Sequence, residues 1–160
     1  MDDRLFRNAM GKFATGVTVI TTELDGQPYG MTANAFMSVS LQPKLVLVSV
    51  SVNAHMHDRI KRAKKYAVNI LSQHQQELSA LFAGQKTEET VVSFDRLDDI
   101  PVLKDTIATI TCLVVDEHLA GDHILFIGEV TDLRLAEGEP LLYSQGKYRE
   151  LAALPEHVSN

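Results

Sequence analysis

The sequence predicts a mainly β fold with helices at its periphery, arranged as a Greek-key barrel. Runs rich in β-branched and other apolar residues recur at 17–24, 44–51, 66–71, 106–117 and 124–135, each of strand length or somewhat longer. Turn signals such as Asp25-Gly26 join neighbouring runs directly, as hairpins do. Only two or three stretches have helical spacing, so the β-α-β alternation of a doubly wound sheet is missing.

In order along the chain, residues 2–14 carry Leu5, Phe6, Ala9, Met10 and Phe13 on one helical stripe, with Asp2 or Asp3 as the cap and Gly16 as the stop. Residues 17–24 follow as a strand, turn at Asp25-Gly26, and return through a long segment, 29–41. That segment has small and polar residues where a core strand would hold Val or Ile. Gln42-Pro43 turns the chain into 44–51, whose unbroken apolar run predicts a central strand buried on both faces. A polar loop, 51–55, leads to a short helix ending near Lys65, and 66–71 is the next strand. Ser72 is placed to cap a helix through Phe82, whose apolar face is Leu78, Leu81 and Phe82. Residues 84–99 read as a surface loop. Two strands, 106–117 and 124–135, are joined through 118–123, a short strand is expected at 140–143, and the tail after Leu154 reads as frayed.

The chain has 160 residues, and 15 Lys+Arg against 21 Asp+Glu give a formal charge of −6, which disfavours a nucleic-acid or anionic-membrane binder. Length and even composition predict one domain over 1–160. The single cysteine, Cys112, rules out an internal disulfide or a zinc site of several thiolates, and its mid-strand position predicts a buried, inert thiol. Met1-Asp2-Asp3-Arg4 lacks the apolar core of a signal peptide, and no run reaches the ~20 residues a spanning helix needs. The expected compartment is the cytoplasm.

Neither Gly-x-Gly-x-x-Gly after a strand nor a Gly-x4-Gly-Lys-Ser/Thr loop occurs, and there is no Gly-x-Ser-x-Gly elbow. His55 and His57 are two apart at a helix start, where side chains diverge, so no metal site is expected. Four segments remain. Residues 30–40 combine small side chains with Thr32 and Asn34, suited to a flat ligand or, equally, to a polar-faced edge strand. Ser51, Asn53, His55 and His57 gather hydroxyl, amide and imidazole groups just before a helix N-terminus, which favours an anion, although a plain cap explains Asn53 as well. Gly121-Asp122-His123 and Gly146-Lys147-Tyr148 are turns that carry a histidine, a cation and an aromatic ring.

Taken in order, these segments resemble the flavin reductase family, whose small members supply reduced flavin to a separate monooxygenase. The resemblance starts at Phe6-Arg7-Asn8-Ala9-Met10 and Phe13-Ala14-Thr15-Gly16-Val17-Thr18-Val19-Ile20-Thr21. It runs on through residues 30–43, 66–71, Phe82-Ala83-Gly84, Gly121-Asp122-His123 and Gly146-Lys147-Tyr148. Many relatives have two prolines where this chain has Pro43-Lys44, and Arg or Ser where it has His55 and His57. The resemblance implies a split β-barrel of the FMN-binding type, a homodimer, and FMN or FAD held in a groove. It implies that Thr32, Ala33, Asn34 and Ala35 lie along the isoalloxazine ring, that Ser51, Asn53, His55 and His57 take the phosphate and ribityl chain, and that Phe82 closes over the flavin. His123, with Lys147 and Tyr148, would face the nicotinamide of NADH or NADPH, His123 orienting the ring.

Hydride transfer between stacked rings needs no protein nucleophile or acid–base pair, in keeping with the empty search for triads. The alternative is a flavin-binding electron carrier on the same barrel without nicotinamide turnover. The two glycine-flanked turns favour the enzyme, since a carrier has no use for a second nucleotide groove.

Overall fold

The computed structural model describes residues 1–85 and 91–153. After helix α1 (Asp3–Met10) come strands β1 (Thr15–Gly16), β2 (Thr18–Leu24), β3 (Gln27–Ala33), β4 (Phe36–Leu41) and β5 (Lys44–Ser51). Helix α2 (His55–Ala63), β6 (Lys65–Ile70) and helix α3 (Gln76–Phe82) follow. The remainder is β7 (Asp95–Leu97), β8 (Ile100–Val102), the long hairpin β9 (Ala108–Ala120) and β10 (His123–Leu135), and the short β11 (Leu142–Ser144) and β12 (Lys147–Arg149).

Seven strands form one antiparallel sheet in the order β3-β2-β6-β9-β10-β5-β4. Its edge strands, β3 and β4, are consecutive in the chain and separated by Asn34 and Ala35 alone. Three Cα–Cα steps cover no more than about 11 Å, so the sheet curls until its edges nearly meet. Among the described residues no ladder joins β3 to β4, and the sheet stays open there. The expectation of a mainly β fold with few helices holds.

The curl encloses Ile20, Val46, Val48, Val50, Tyr66, Val68, Cys112 and Phe126, and α2 adds Met56 and Ile60 to the same cluster. Arg59 of α2 lies over the Tyr29 ring, 3.6 Å from its centroid, which ties the helix to β3. A second cluster, Val17, Val19, Leu71, Leu103 and Leu141, lies under α3 and the small sheet β1-β11-β12.

Strand β2 faces both clusters, and β6 sets Tyr66 and Val68 in the first and Ala67 against Ile100 and Val102 of β8, so both are buried throughout their middles although they carry Thr21, Thr22 and Asn69. Burying these groups requires partners. Asn69 Nδ2 donates to the Val19 carbonyl (2.9 Å) and to Thr21 Oγ1 (3.0 Å), and its Oδ1 accepts from the Leu103 N–H (2.8 Å). Thr21 and Thr22 donate to the carbonyls of Pro101 and Lys65.

Several expectations are corrected. Strand β5, read as buried on both faces, hides only Val46, Val48 and Val50, which point into the first cluster, while the residues between them face the other way and stay part-exposed. The segment 29–41 is two strands on opposite edges, not one. The first helix stops at Met10: the Gly11 carbonyl, which would continue it, accepts from the Gln145 N–H at 2.8 Å. Its apolar stripe is not inside the chain, with Phe6 54 % and Met10 57 % exposed. Ser72 does not cap α3; its N–H bonds Gln75 Oε1 in a turn, and the helix begins at Gln76. Strands β9 and β10 run up to a tight turn at Gly121 and Asp122, so residues 118–120 are strand. The presumed surface loop holds β7, and Val92 and Phe94 pack on the second cluster, while residues 86–90 and the tail from Leu154 lie outside the described residues.

Cys112 is buried, as expected, and burial pushes its thiol up to about 12. A Cβ on Gly128 of β10 would stand 2.4 Å from the Tyr66 hydroxyl and 2.7 Å from Cys112 Cβ. We expect Gly128→Ala to cost about 2 kcal/mol by overpacking this cluster. Gly16→Ala, which meets nothing within 4 Å, should stay within about 0.5 kcal/mol of wild type. Urea midpoints of the two variants check the contrast.

Candidate functional site

Where β3 ends, Thr32, Ala33 and Asn34 line a pocket of about 170 Å³ together with Val17, Ser79, Ala83, Gln85, Tyr143 and Tyr148. The first and last of the four sequence segments therefore meet here. Thr32 Oγ1 donates to the Ser79 carbonyl (2.7 Å), and the Tyr148 hydroxyl donates to Ser79 Oγ (2.9 Å). The Tyr143 and Tyr148 rings meet edge to face at 5.5 Å. Tyr148 is presented by the Gln145-Gly146 turn, both residues at positive φ, and Lys147 beside it is exposed.

Phe82 stands against Gly30 of β3, where a Cβ would come within 2.5 Å of its ring, and 6.3 Å from the Phe94 ring. It packs against the second cluster, and its neighbours Ala83 and Gln85 line the pocket.

The second and third segments meet at the far end of β5. Ser51 and His123 are ladder partners, and the Val52 N–H donates to the Asp122 carbonyl (3.0 Å). Ser51 Oγ accepts from the Asn53 N–H (3.3 Å) as the chain enters α2, whose N-cap, Ala54, supplies no side-chain cap. In the first turn of α2 the His57 N–H donates to the Ala54 carbonyl (3.0 Å), and the helix start lies beside exposed Asn53 and His55. His57 Nε2 is buried with no partner, its ring 6.1 Å from Phe126. A buried imidazole nitrogen without a partner is costly and marks a place for a ligand group.

Ala35 joins the two halves: its carbonyl accepts from the Ser49 N–H (3.0 Å), two residues along β5 from Ser51. The sequence-derived positions thus form two groups, one around the pocket at the end of β3 and one at the end of β5, with Ala35 bonded to β5 between them. Sequence reasoning missed Ser79, Tyr143, Ala83 and Gln85. A small hydroxyl at Ser79, in line with Gln75 and Phe82 on the buried face of α3, was the available signal.

Asp122 Oδ1 lies 2.8 Å from His123 Nδ1, and the imidazole holds this carboxyl below the usual carboxylate range. The stabilisation from the depressed Asp122 is complete above the ordinary range and is lost as pH falls through its folded value. The His123 side chain is 43 % exposed.

The flavin reductase like domain model matches residues 10–152 of the sequence. The chain belongs to the flavin reductase-like family. It is 42 % identical over 151 residues to an NADH-dependent flavin reductase of a Rhodococcus species, covering 92 % of this chain and 86 % of that protein. It is 35 % identical over 149 residues to the reductase component of the 4-nitrophenol 4-monooxygenase/4-nitrocatechol 2-monooxygenase of Rhodococcus opacus, covering 92 % and 80 %. Among solved structures, flavin reductase PheA2 in its native state superposes with a TM-score of 0.94 at 64 % identity, covering 96 % of this chain and all of that one. Within this flavin reductase-like fold, the Asp122–His123 pair gives one direct test. His123→Ala should return the Asp122 carboxyl to the ordinary range, read by a carbon-detected NMR titration.

Proposed function

We propose that the chain is an NADH-dependent flavin reductase, the component of a two-component monooxygenase that reduces FMN or FAD and passes it to a separate oxygenase. The observation that carries this reading is that Thr32–Asn34 and Tyr148 line one pocket while Ser51–His57 and His123 gather at the end of β5, with Ala35 bonded to that strand. The relatives' names, NADH-dependent flavin reductase and monooxygenase reductase component, agree with it. Residues 1–160 are read as one such domain, a reading that the family match over 10–152 supports.

The residues present fit a flavin. The pocket offers small side chains and hydroxyl and amide groups to a flat ring, and the uncapped start of α2 with the unpartnered His57 Nε2 suits a phosphate. When bound, flavin and nicotinamide supply the hydride chemistry themselves. The protein binds and orients. Thr32, Ala33, Asn34 and Ala35 border the isoalloxazine; Ser51, Asn53, His55 and His57 take the ribityl chain and phosphate; Phe82 backs the flavin site from Gly30. His123 orients the nicotinamide, with Lys147 and Tyr148. Thr32 has already committed its proton to Ser79, so its oxygen meets a ring edge as an acceptor, whereas Asn34 can donate.

The curled sheet is read as a split β-barrel, its open edges kept near one another by Asn34 and Ala35. The protein works as a homodimer, a state favoured by α1, which buries none of its apolar residues against its own chain. A cytoplasmic site follows from the need for NADH, and a free, buried Cys112 suits it. None of the described helices is long and apolar enough to cross a membrane.

Anaerobic mixing of protein, FMN and NADH should bleach the flavin's visible absorbance, saturably in NADH. His123→Ala should raise KM for NADH about tenfold with little change in FMN affinity. No bleaching despite tight flavin binding would move the protein to the electron-carrier class. Light scattering should give about twice the 17.7 kDa chain mass, reduced towards one chain by Phe6→Glu.

A further inference from the structure

Ser79 is the point where three distant parts of the chain are fastened to one another. It is 2 % exposed and lies on α3, one turn before Phe82. Its carbonyl accepts both from the Ala83 N–H of its own helix (3.1 Å) and from Thr32 Oγ1 of β3 (2.7 Å). Its hydroxyl accepts from the phenol of Tyr148 on β12 (2.9 Å). Thr32, Ser79 and Tyr148 all line the same pocket.

The position of α3 is set independently of these bonds. Phe82 sits on the bare Cα of Gly30, closer than any Cβ would allow, which seats the helix flush on β3. Main-chain bonds from Ser79 to Gln75 and from Ala83 to Ser79 hold its backbone in the helix. Ser79 is thus a fixed post, whereas β12 is three residues long and bound to the fold through β11 and the short strand β1. The Tyr148 ring packs on the second cluster and edge to face on Tyr143, and its polar tip is held by the bond to Ser79.

We infer that Ser79 is a positioning residue of the reductase: through its hydroxyl it fixes the Tyr148 ring, and through its carbonyl it fixes Thr32, so setting the width of the pocket. The inference rests on the proposed function, in which Tyr148 faces the nicotinamide. Ser79 touches the co-substrate's neighbour and acts through it.

The test is a double-mutant cycle. Ser79→Ala and Tyr148→Phe each remove the same hydroxyl–hydroxyl bond, and the phenylalanine keeps the ring. Each should raise KM for NADH about fivefold with kcat nearly unchanged, and the double variant should raise it no further than Tyr148→Phe alone. Multiplying effects in the double variant, or a wild-type KM in folded Ser79→Ala, overturns the inference. A general loss of packing is recognised by a lowered melting temperature with additive KM effects, and it counts against the inference. Wild-type protein that binds FMN and leaves NADH unoxidised defeats the functional reading instead. In that case the same cycle on FMN affinity still tests the Ser79–Tyr148 coupling, which requires the two variants to be non-additive there too.

Discussion

Two residues hold the architecture in its shape. Asn34 and Ala35 are all that separates β3 from β4, and these strands are the opposite edges of a seven-stranded sheet. Ordinary twist alone would leave the edges of such a sheet far apart. With so short a connection the sheet has to curl, and the curl gives the core its shape: five strands and one face of α2 share a single apolar cluster. The same connection decides where a ligand can bind. Strand edges have unpaired backbone groups, and the gap between two approaching edges is lined by them and by whatever side chains the crossing brings in.

Keeping that gap open depends on how the strands opposite are held. Strand β2 lies between the two clusters with β6 paired beside it, and their buried polar residues are fully used, Asn69 reaching Val19, Thr21 and Leu103 at once. Such a network is stabilising only when every member is satisfied, and it then fixes one register. The β2–β6 pairing and the loop through Leu103 are thereby locked together, which leaves β3 a rigid neighbour on which Gly30, Thr32 and Ala33 keep their places.

The sequence made the type and order of the main elements legible, because strand-length apolar runs and the Asp25-Gly26 turn are local signals. Burial was legible only in part. Strand β5 reads as the most buried run yet hides only alternate residues, whereas polar-looking β2 and β6 are buried on both faces, since burial is set by neighbours in space and not by a strand's own composition. The apolar stripe on α1 is a local signal that gives the helix but not its end, and periodicity cannot say what an apolar face meets. At the site, Thr32–Ala35 and Tyr148 stood out as small or polar residues out of place, whereas Ser79 looked like an ordinary helical serine. Its partners are 47 and 69 residues away, a separation no local pattern carries.

The hydroxyls around the pocket also explain why no acid–base constellation was found. Thr32 and Tyr148 each direct a proton inwards, to the Ser79 carbonyl and hydroxyl, and so are occupied in holding the wall. Two imidazole–carboxylate pairs, His123 with Asp122 and His118 with Asp116, lie exposed on the β9–β10 hairpin, where solvent screens them, and the Asp122 carboxyl stays ionised over the physiological range. Groups arranged in this way are poor proton relays and good positioners. For a reaction whose bond changes belong to two stacked rings, the demand on the protein is orientation to within fractions of an ångström. Fixed hydrogen bonds on a rigid edge meet that demand better than a titrating side chain would.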